Sequence, residues 1–304
     1  MNTKTIYATQ KNLKQVKPNL LYDKLDKHIG SNKLNFSNSG GLRKKNYYKS
    51  SIKDKPLISI ITVSFNSEKT IEKTIQSVLN QNYNNLDYII IDGNSVDNTK
   101  KIIEKYKNKI SLVISENDNG IWNAMNKGIK LAKGDIIGFL NSDDVYYPNT
   151  LETVDKYFNN FDIDFLFGTT HKYKLMHGFR PWMINWSFGF YTSHSVGFFI
   201  KTSKHKEIGY YNTKYLSADL DFFYKMIKKK LKGKSTLKTE VFGKYAPGGF
   251  SSKINYITHL NDLNKIRIDN NQNKIFVYLL YLIKILKKPI KFINAININN
   301  KKNG

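Results

Sequence analysis

"LISIITVSFNSEKTIEKTIQSVLNQNYNNLDYIIID", residues 57–92, decides the fold class. Its first nine residues (57–65) are nearly all apolar or β-branched, the pattern of a strand buried on both faces. Apolar positions then fall at 71, 75, 78 and 79, which is helical spacing, with Ser67 as the expected N-cap. "LDYIIID" (86–92) is a second buried strand. The alternation continues through a helix in "SVDNTKKIIEKYKNK" and a strand in "ISLVIS" (110–115). A helix in "GIWNAMNKGIKLAKG", ended by Gly134, leads to a strand in "DIIGFLNS". Strands that alternate with helices build βαβ units, so the expected class is α/β with a mostly parallel central sheet and helices on both faces.

The 304-residue chain has no cysteine, which excludes disulfides, thiolate metal sites and a cysteine nucleophile and suits a reducing cytoplasm. The N-terminal stretch "MNTKTIYATQKNLKQVKPNL" lacks the apolar core of a secretory signal. A net charge of +25 looks like a nucleic-acid protein until it is divided along the chain. Residues 1–55 hold 13 basic and 3 acidic side chains, residues 225–304 hold 18 and 3, and the middle holds 18 of each. That segregation points either to solvated flanks or to flanks that meet an anionic surface. The expected organisation is a mobile basic arm over 1–55, with a short turn near Leu20–Leu25, and a catalytic domain over 56–254. The domain divides into a first half, 56–146, and a second half, 147–254, and basic C-terminal helices follow over 255–304. In the second half, "YYPNTLETVDKYF" reads as a helix with Pro148 near its first turn, and "DIDFLFGTTHKYKLMHG" as strands with a hairpin.

Ligands of such sheets sit beyond the carboxyl ends of the strands. Those ends carry Ser64 and Asn66, Asp92 and Asn94, Glu116 and Asp118, then Asp143 and Asp144. No GxGxxG or GxxxxGK[ST] follows the first strand, so a hydride-transfer dinucleotide fold and a P-loop are both disfavoured. Two readings fit the adjacent aspartates. They clamp a divalent cation that bridges phosphate oxygens, or they form a solvated turn ahead of a proline-led helix.

Two long stretches, "ISIITVSFNSEKTIEKTIQSVLNQNYNNLDYIIIDGNSVDNT" and "ENDNGIWNAMNKGIKLAKGDIIGFLNSDDVYYPNTL", resemble glycosyltransferase family 2, of GT-A fold with a Rossmann-like sheet. "HSVGFFIKTSKHKEIGYYNTKYLSADLDFFYKM" is similar to the acceptor-side half of that family, and the resemblance covers roughly residues 56–255. It implies transfer of a sugar from a nucleotide-sugar donor, a UDP-sugar above all, to a saccharide or lipid-linked saccharide, with inversion, in surface polysaccharide biosynthesis. Under it Asp92 contacts the uracil or ribose, Ser64 and Phe65 lie along the base, and Asn94 stands with them on the donor side. Asp144 holds Mn²⁺ or Mg²⁺, with Asp143 beside it toward the ribose and sugar. The first position of the longer Asp-x-Asp-Asp form is Asn141, a neutral ligand. Asp219 in "SADLDFF" matches the catalytic base that takes the acceptor hydroxyl proton, while Asp221 points to another face of its helix. His194 matches a histidine that contacts acceptor or donor, or is a hydrogen-bonded structural residue.

Trp122 reads as a core aromatic or a pocket wall, Lys127 as a surface lysine or a phosphate contact, and "PGGFSS" (247–252) as a loop or a lid. "KIFVYLLYLIKILKKPIKFI" (274–293) has nine consecutive apolar residues, Ile275 to Ile283, too few to span a bilayer. It either packs on the domain or lies at an anionic membrane surface, peripheral on the inner face. Two other classes fit the sequence less well. A nucleotidyltransferase lacks its glycine- and arginine-rich loop here, and a nucleic-acid-binding protein would need basic residues on the neutral centre, so no specific nucleic acid is expected.

Overall fold

The computed structural model describes residues 14 and 15, 39–185, 193–249 and 254–303. The turn expected near Leu20–Leu25 and residues 250–252 of "PGGFSS" lie outside them. The parallel core consists of β2 (Ile58–Ser64), β3 (Leu86–Asp92), β4 (Leu112–Ser115) and β5 (Ile136–Phe139), preceded by β1 (Ser39–Gly40). β2 pairs in parallel with β3 and β5, and β3 with β4. α1 (Ile71–Leu79), α2 (Thr99–Tyr106) and α3 (Ile121–Leu131) make the crossovers between these strands. The expected α/β sheet is therefore present, and its order is set by burial. Alternate residues of β2 serve opposite cores: Ile58 and Ile60 pack with α1, Ile61 and Val63 with α3.

After β5 the chain makes β6 (Val145–Tyr146), α4 (Thr150–Asn160), β7 (Phe165–Phe167), and the hairpin β8 (Thr169–His171) and β9 (Leu175–Met176). β10 (Phe198–Lys201), α5 (Thr202–Ile208), α6 (Ala218–Lys228), β11 (Gly233–Ser235) and β12 (Val241–Lys244) follow. β10 enters the main sheet antiparallel between β5 and β7, giving the order β11-β7-β10-β5-β2-β3-β4-β1. A second sheet, ordered β9-β8-β12-β6, stands beside the end of β5. Three helices close the described chain: α7 (Tyr256–Asp269), α8 (Lys274–Lys287) and α9 (Pro289–Asn303). Leu260, Leu263 and Ile266 of α7 join the core beside Phe222 and Phe223 of α6.

Two local expectations shift. α1 begins at Ile71, and the Ser67 hydroxyl makes no cap; it bonds to the Ser142 hydroxyl at 2.7 Å. α3 ends at Leu131, and Gly134 marks a close approach instead, since a Cβ there would stand 2.5 Å from the backbone nitrogen of Ser59.

The packed body also begins well before residue 56. β1 pairs antiparallel with β4, and a 3₁₀ turn at Leu42–Lys45 follows it. That turn buries Arg43, whose guanidinium pairs with Asp87 near the start of β3 and donates to the Leu131 carbonyl at 2.7 Å. Asp87 also accepts from the Ser59 hydroxyl at 2.7 Å, so its charge is satisfied inside the sheet. Removing one partner of a buried pair strands the other charge. Arg43→Ala should therefore lower unfolding free energy by about 3–5 kcal/mol in urea titration, and adding Asp87→Leu should recover part of that loss.

Candidate active site

The carboxyl ends of β2, β3 and β4 form the floor of the first half of the site. Asp92 ends β3 with no exposed surface. It accepts from the Ser64 hydroxyl (3.1 Å), the Ser95 backbone N–H (3.0 Å) and hydroxyl (2.5 Å), and the Ser115 hydroxyl (2.6 Å). Four donors consume the carboxylate, so Asp92 and Ser64 organise the three strand ends from below. What reaches the surface lies above them. The Phe65 ring is 64% exposed, and Gly93 lies beneath it, where a Cβ would stand 3.3 Å from that ring and 2.7 Å from Asp118 Oδ2. Asn94 donates to the Asn117 side-chain oxygen at 3.0 Å and accepts from Lys100 at the same distance. Burial pushes the Asp118 carboxyl up, against the Gly120 N–H and the Lys127 charge, which pull it down. Lys127 is committed to Glu116 at 2.8 Å and to the Asn117 carbonyl at 3.0 Å.

The aspartate pair follows β5. Asp144 is buried, with Oδ2 accepting from the Ser195 hydroxyl at 2.6 Å and Oδ1 from the Ala246 N–H at 2.8 Å. Its carbonyl accepts from the Thr74 hydroxyl at 2.7 Å. Burial, then the neighbouring Asp143 charge, raises its pKa to about 7, although both hydrogen bonds pull the other way. Asp143 is only partly buried, and Gly249 lies so close that a Cβ there would stand 3.2 Å from its Oδ2. Residues 246–249 thus lie over both aspartates. Asn141 donates its N–H to the Ser195 hydroxyl at 2.9 Å, while its side-chain oxygen is buried with no hydrogen-bond partner among the described residues.

Ser195 leads to the second half. Its neighbour His194 is buried, stacked on Phe139 with centroids 4.8 Å apart, and shares a 2.6 Å hydrogen bond between Nε2 and the Tyr211 hydroxyl. Burial, then the charge of nearby His205, lowers the His194 pKa to about 3, so the ring is neutral. Burial drives the Tyr211 hydroxyl well up, and the Asp219 carboxylate drives it further. Asp219 therefore lies near Tyr211; it occupies the first turn of α6, where the helix dipole favours a carboxylate. Trp122 braces the same helix start, its indole N–H donating to the Leu216 carbonyl at 2.9 Å. Asp221 faces away, paired with Lys225 at 2.6 Å and accepting from Asn270 at 2.8 Å.

One seam thus runs from Asp144 through Ser195, His194 and Tyr211 to Asp219. Of the residues expected at a site, Phe65, Asn94, Asp143, Asp144 and Asp219 reach it. Asp92, Ser64 and His194 support it from inside. Ser195 and Tyr211 were not foreseen, because a single serine or tyrosine carries no spacing signal.

The oxygen set of this turn suits a hard divalent cation: two adjacent carboxylates and the partnerless Asn141 oxygen. Among the described residues no group of three His, Asp or Glu converges, so these oxygens would be completed by those of a bound ligand.

Residues 59–231 match the family model described as Glycosyl transferase family 2. A relative, the UDP-Glc:alpha-D-GlcNAc-diphosphoundecaprenol beta-1,3-glucosyltransferase WfgD of Escherichia coli, is 39% identical over 116 residues, 38% of this chain and 46% of its own length. Glycosyltransferase GlyG of Streptococcus pneumoniae is 31% identical over 120 residues, 38% of this chain and 40% of its length. The chain spans less than half the length of these two relatives. Among solved structures, S. aureus TarS 1-349 in complex with UDP-GlcNAc has a TM-score of 0.58 at 18% identity, covering 78% of this chain and 79% of that one. The mannosyltransferase PcManGT from Pyrobaculum calidifontis, in complex with GDP-Man and Mn²⁺, has a TM-score of 0.57 at 16% identity, covering 80% and 74%. At such identities the likeness is one of fold, and that fold is the GT-A fold.

The raised Asp144 carboxyl has a consequence for metal-free protein. Its folded pKa lies above its unfolded value, so its contribution to stability is full below about 4 and is lost as pH rises through about 7. Calorimetry across that window should show a falling melting temperature. Asp144→Asn should flatten the fall, and Asp221→Asn, outside the seam, should not.

Proposed function

The chain belongs to glycosyl transferase family 2, and from that premise we propose that it moves a sugar from a nucleotide-sugar donor to a hydroxyl of a saccharide or lipid-linked saccharide. The observation that carries this reading is the seam joining the aspartate pair to Asp219 through Ser195, His194 and Tyr211. It supports a donor pocket and a base on two sides of one cleft.

In this reading the nucleobase lies against the exposed Phe65 ring, with Asn94 at its edge, over a floor fixed by Asp92. A divalent cation held by Asp143 and Asp144, with the Asn141 oxygen beside them, would neutralise the departing diphosphate. Asp219 accepts the proton of the acceptor hydroxyl as its oxygen bonds to the anomeric carbon and the bond to the diphosphate oxygen breaks. Attack from the side opposite the leaving group inverts the anomeric centre. The neutral His194 and Tyr211 hold the two halves in register without adding charge. The acceptor named for the WfgD relative is a lipid diphosphate, which supports an acceptor presented at a membrane and a role in surface polysaccharide assembly.

A thermal-shift screen of UDP-, GDP- and dTDP-sugars, with and without Mn²⁺, tests the class. A metal-dependent shift for one donor is expected; none for any donor overturns the reading. Asp219→Asn should lower kcat about 10²–10⁴-fold while leaving that donor shift intact.

A further inference from the structure

The C-terminal helices leave an apolar surface that nothing among the described residues covers. Nine of the eighteen large apolar side chains exposed among the described residues lie on α8 and α9, while the others are scattered over the rest of the surface. On α8 they form a stripe at helical spacing: Ile275, Leu279, Leu282 and Leu286. The stripe continues onto α9 with Ile290 and Ile293. The opposite side of α8 is already occupied, since Val277 and Leu280 are buried and Tyr281 and Ile285 pack against the core. α8 is thus apolar on two sides and has only one of them covered. Exposed apolar surface of this extent marks a contact rather than chance.

The charge around it selects the occupant. From residue 270 to residue 304 there are seven lysines and no Asp or Glu. A second copy of the chain packed on the same face would bring these like charges together. A leaflet of anionic lipid answers both properties at once, taking the apolar stripe between acyl chains and the lysines at the headgroups. Fourteen residues of α8 amount to about 21 Å of helix, short of a bilayer core, and no helix among the described residues is long and apolar enough to cross one. The contact is therefore in the plane of the membrane.

We propose that the outer face of α8 and α9 is a docking surface for an anionic lipid bilayer. The surface is mechanically joined to the reaction centre. Asp262 of α7 accepts the backbone N–H groups of Leu216 and Ser217 at 3.0 and 2.8 Å, three and two residues before Asp219. The Tyr256 hydroxyl of α7 donates to the Lys284 carbonyl of α8 at 3.0 Å, and Asn255 donates to the Ala295 carbonyl of α9 at 3.1 Å. Docking is thus transmitted through α7 to the segment that leads into α6 and the proposed base. This gives the proposed lipid-linked acceptor its route of approach, and to that extent rests on the transferase reading.

The test is sedimentation of the full chain with vesicles of phosphatidylcholine alone or mixed with phosphatidylglycerol. Wild type should partition about tenfold better onto the mixed vesicles, and raised salt should remove the difference. Leu282→Glu/Leu286→Glu should abolish sedimentation with an unchanged circular-dichroism melt, and Lys287→Glu/Lys288→Glu/Lys291→Glu should remove only the anionic preference. Wild type that stays in the supernatant, or leucine variants that still sediment, would overturn the proposal. So would leucine variants that turn a dimer into a monomer by light scattering while vesicle binding persists, because a second copy would then own the face. The donor thermal shift is independent of all these outcomes, so failure of the transferase reading and failure of docking are told apart.

Discussion

The structure depends on keeping one carboxylate, that of Asp144, out of water. An isolated buried carboxylate is too costly to keep without donors, so chain must come to it. It does so from three remote places: the Ser195 hydroxyl, the Ala246 N–H and, on the main-chain carbonyl, the Thr74 hydroxyl. These belong to the start of β10, the loop after β12 and helix α1. The second half of the fold, already paired to β5 through β10, is thereby also tied to the end of that strand. The hydrogen bonds compensate only in part, because desolvation and Asp143 still win and hold the proton to about pH 7. A group left that uncomfortable has much to gain from a cation.

The parallel half was legible because its signal is periodic. β2, β3, β4 and β5 all fall within the apolar runs read from sequence, and α1 and α3 lie on the expected helical spacings. What escaped depends on partners distant in the chain. Ser67 reads as a cap and instead meets Ser142, 75 residues away. Arg43 reads as one of the thirteen basic residues of residues 1–55, yet Asp87, itself hidden inside an apolar strand, draws it into the body. No local pattern announces that pairing. Asp92 was placed correctly at its strand end, but the three serines that enclose it could not be counted from spacing, and they turn it inward.

The same distinction separates the two histidines from the aspartates. An imidazole in a sequence suggests a proton carrier, but burial among Phe139, Phe198, Phe222 and Tyr211 holds His194 and His205 neutral, each with a pKa near 3. Along the seam from Asp144 to Asp219, the groups between the acids are therefore a hydroxyl, a neutral ring and a phenol. None of them changes charge between pH 5 and 9, since the imidazole titrates far below that range and the phenol well above it. The acids at the two ends are linked by geometry and separated in charge. A charged imidazole in that place would lower the Asp144 pKa but would also repel a cation there. In the proposed reading, a neutral bridge would leave the end of β5 to the positive charge of a bound cation and would set its distance from the start of α6.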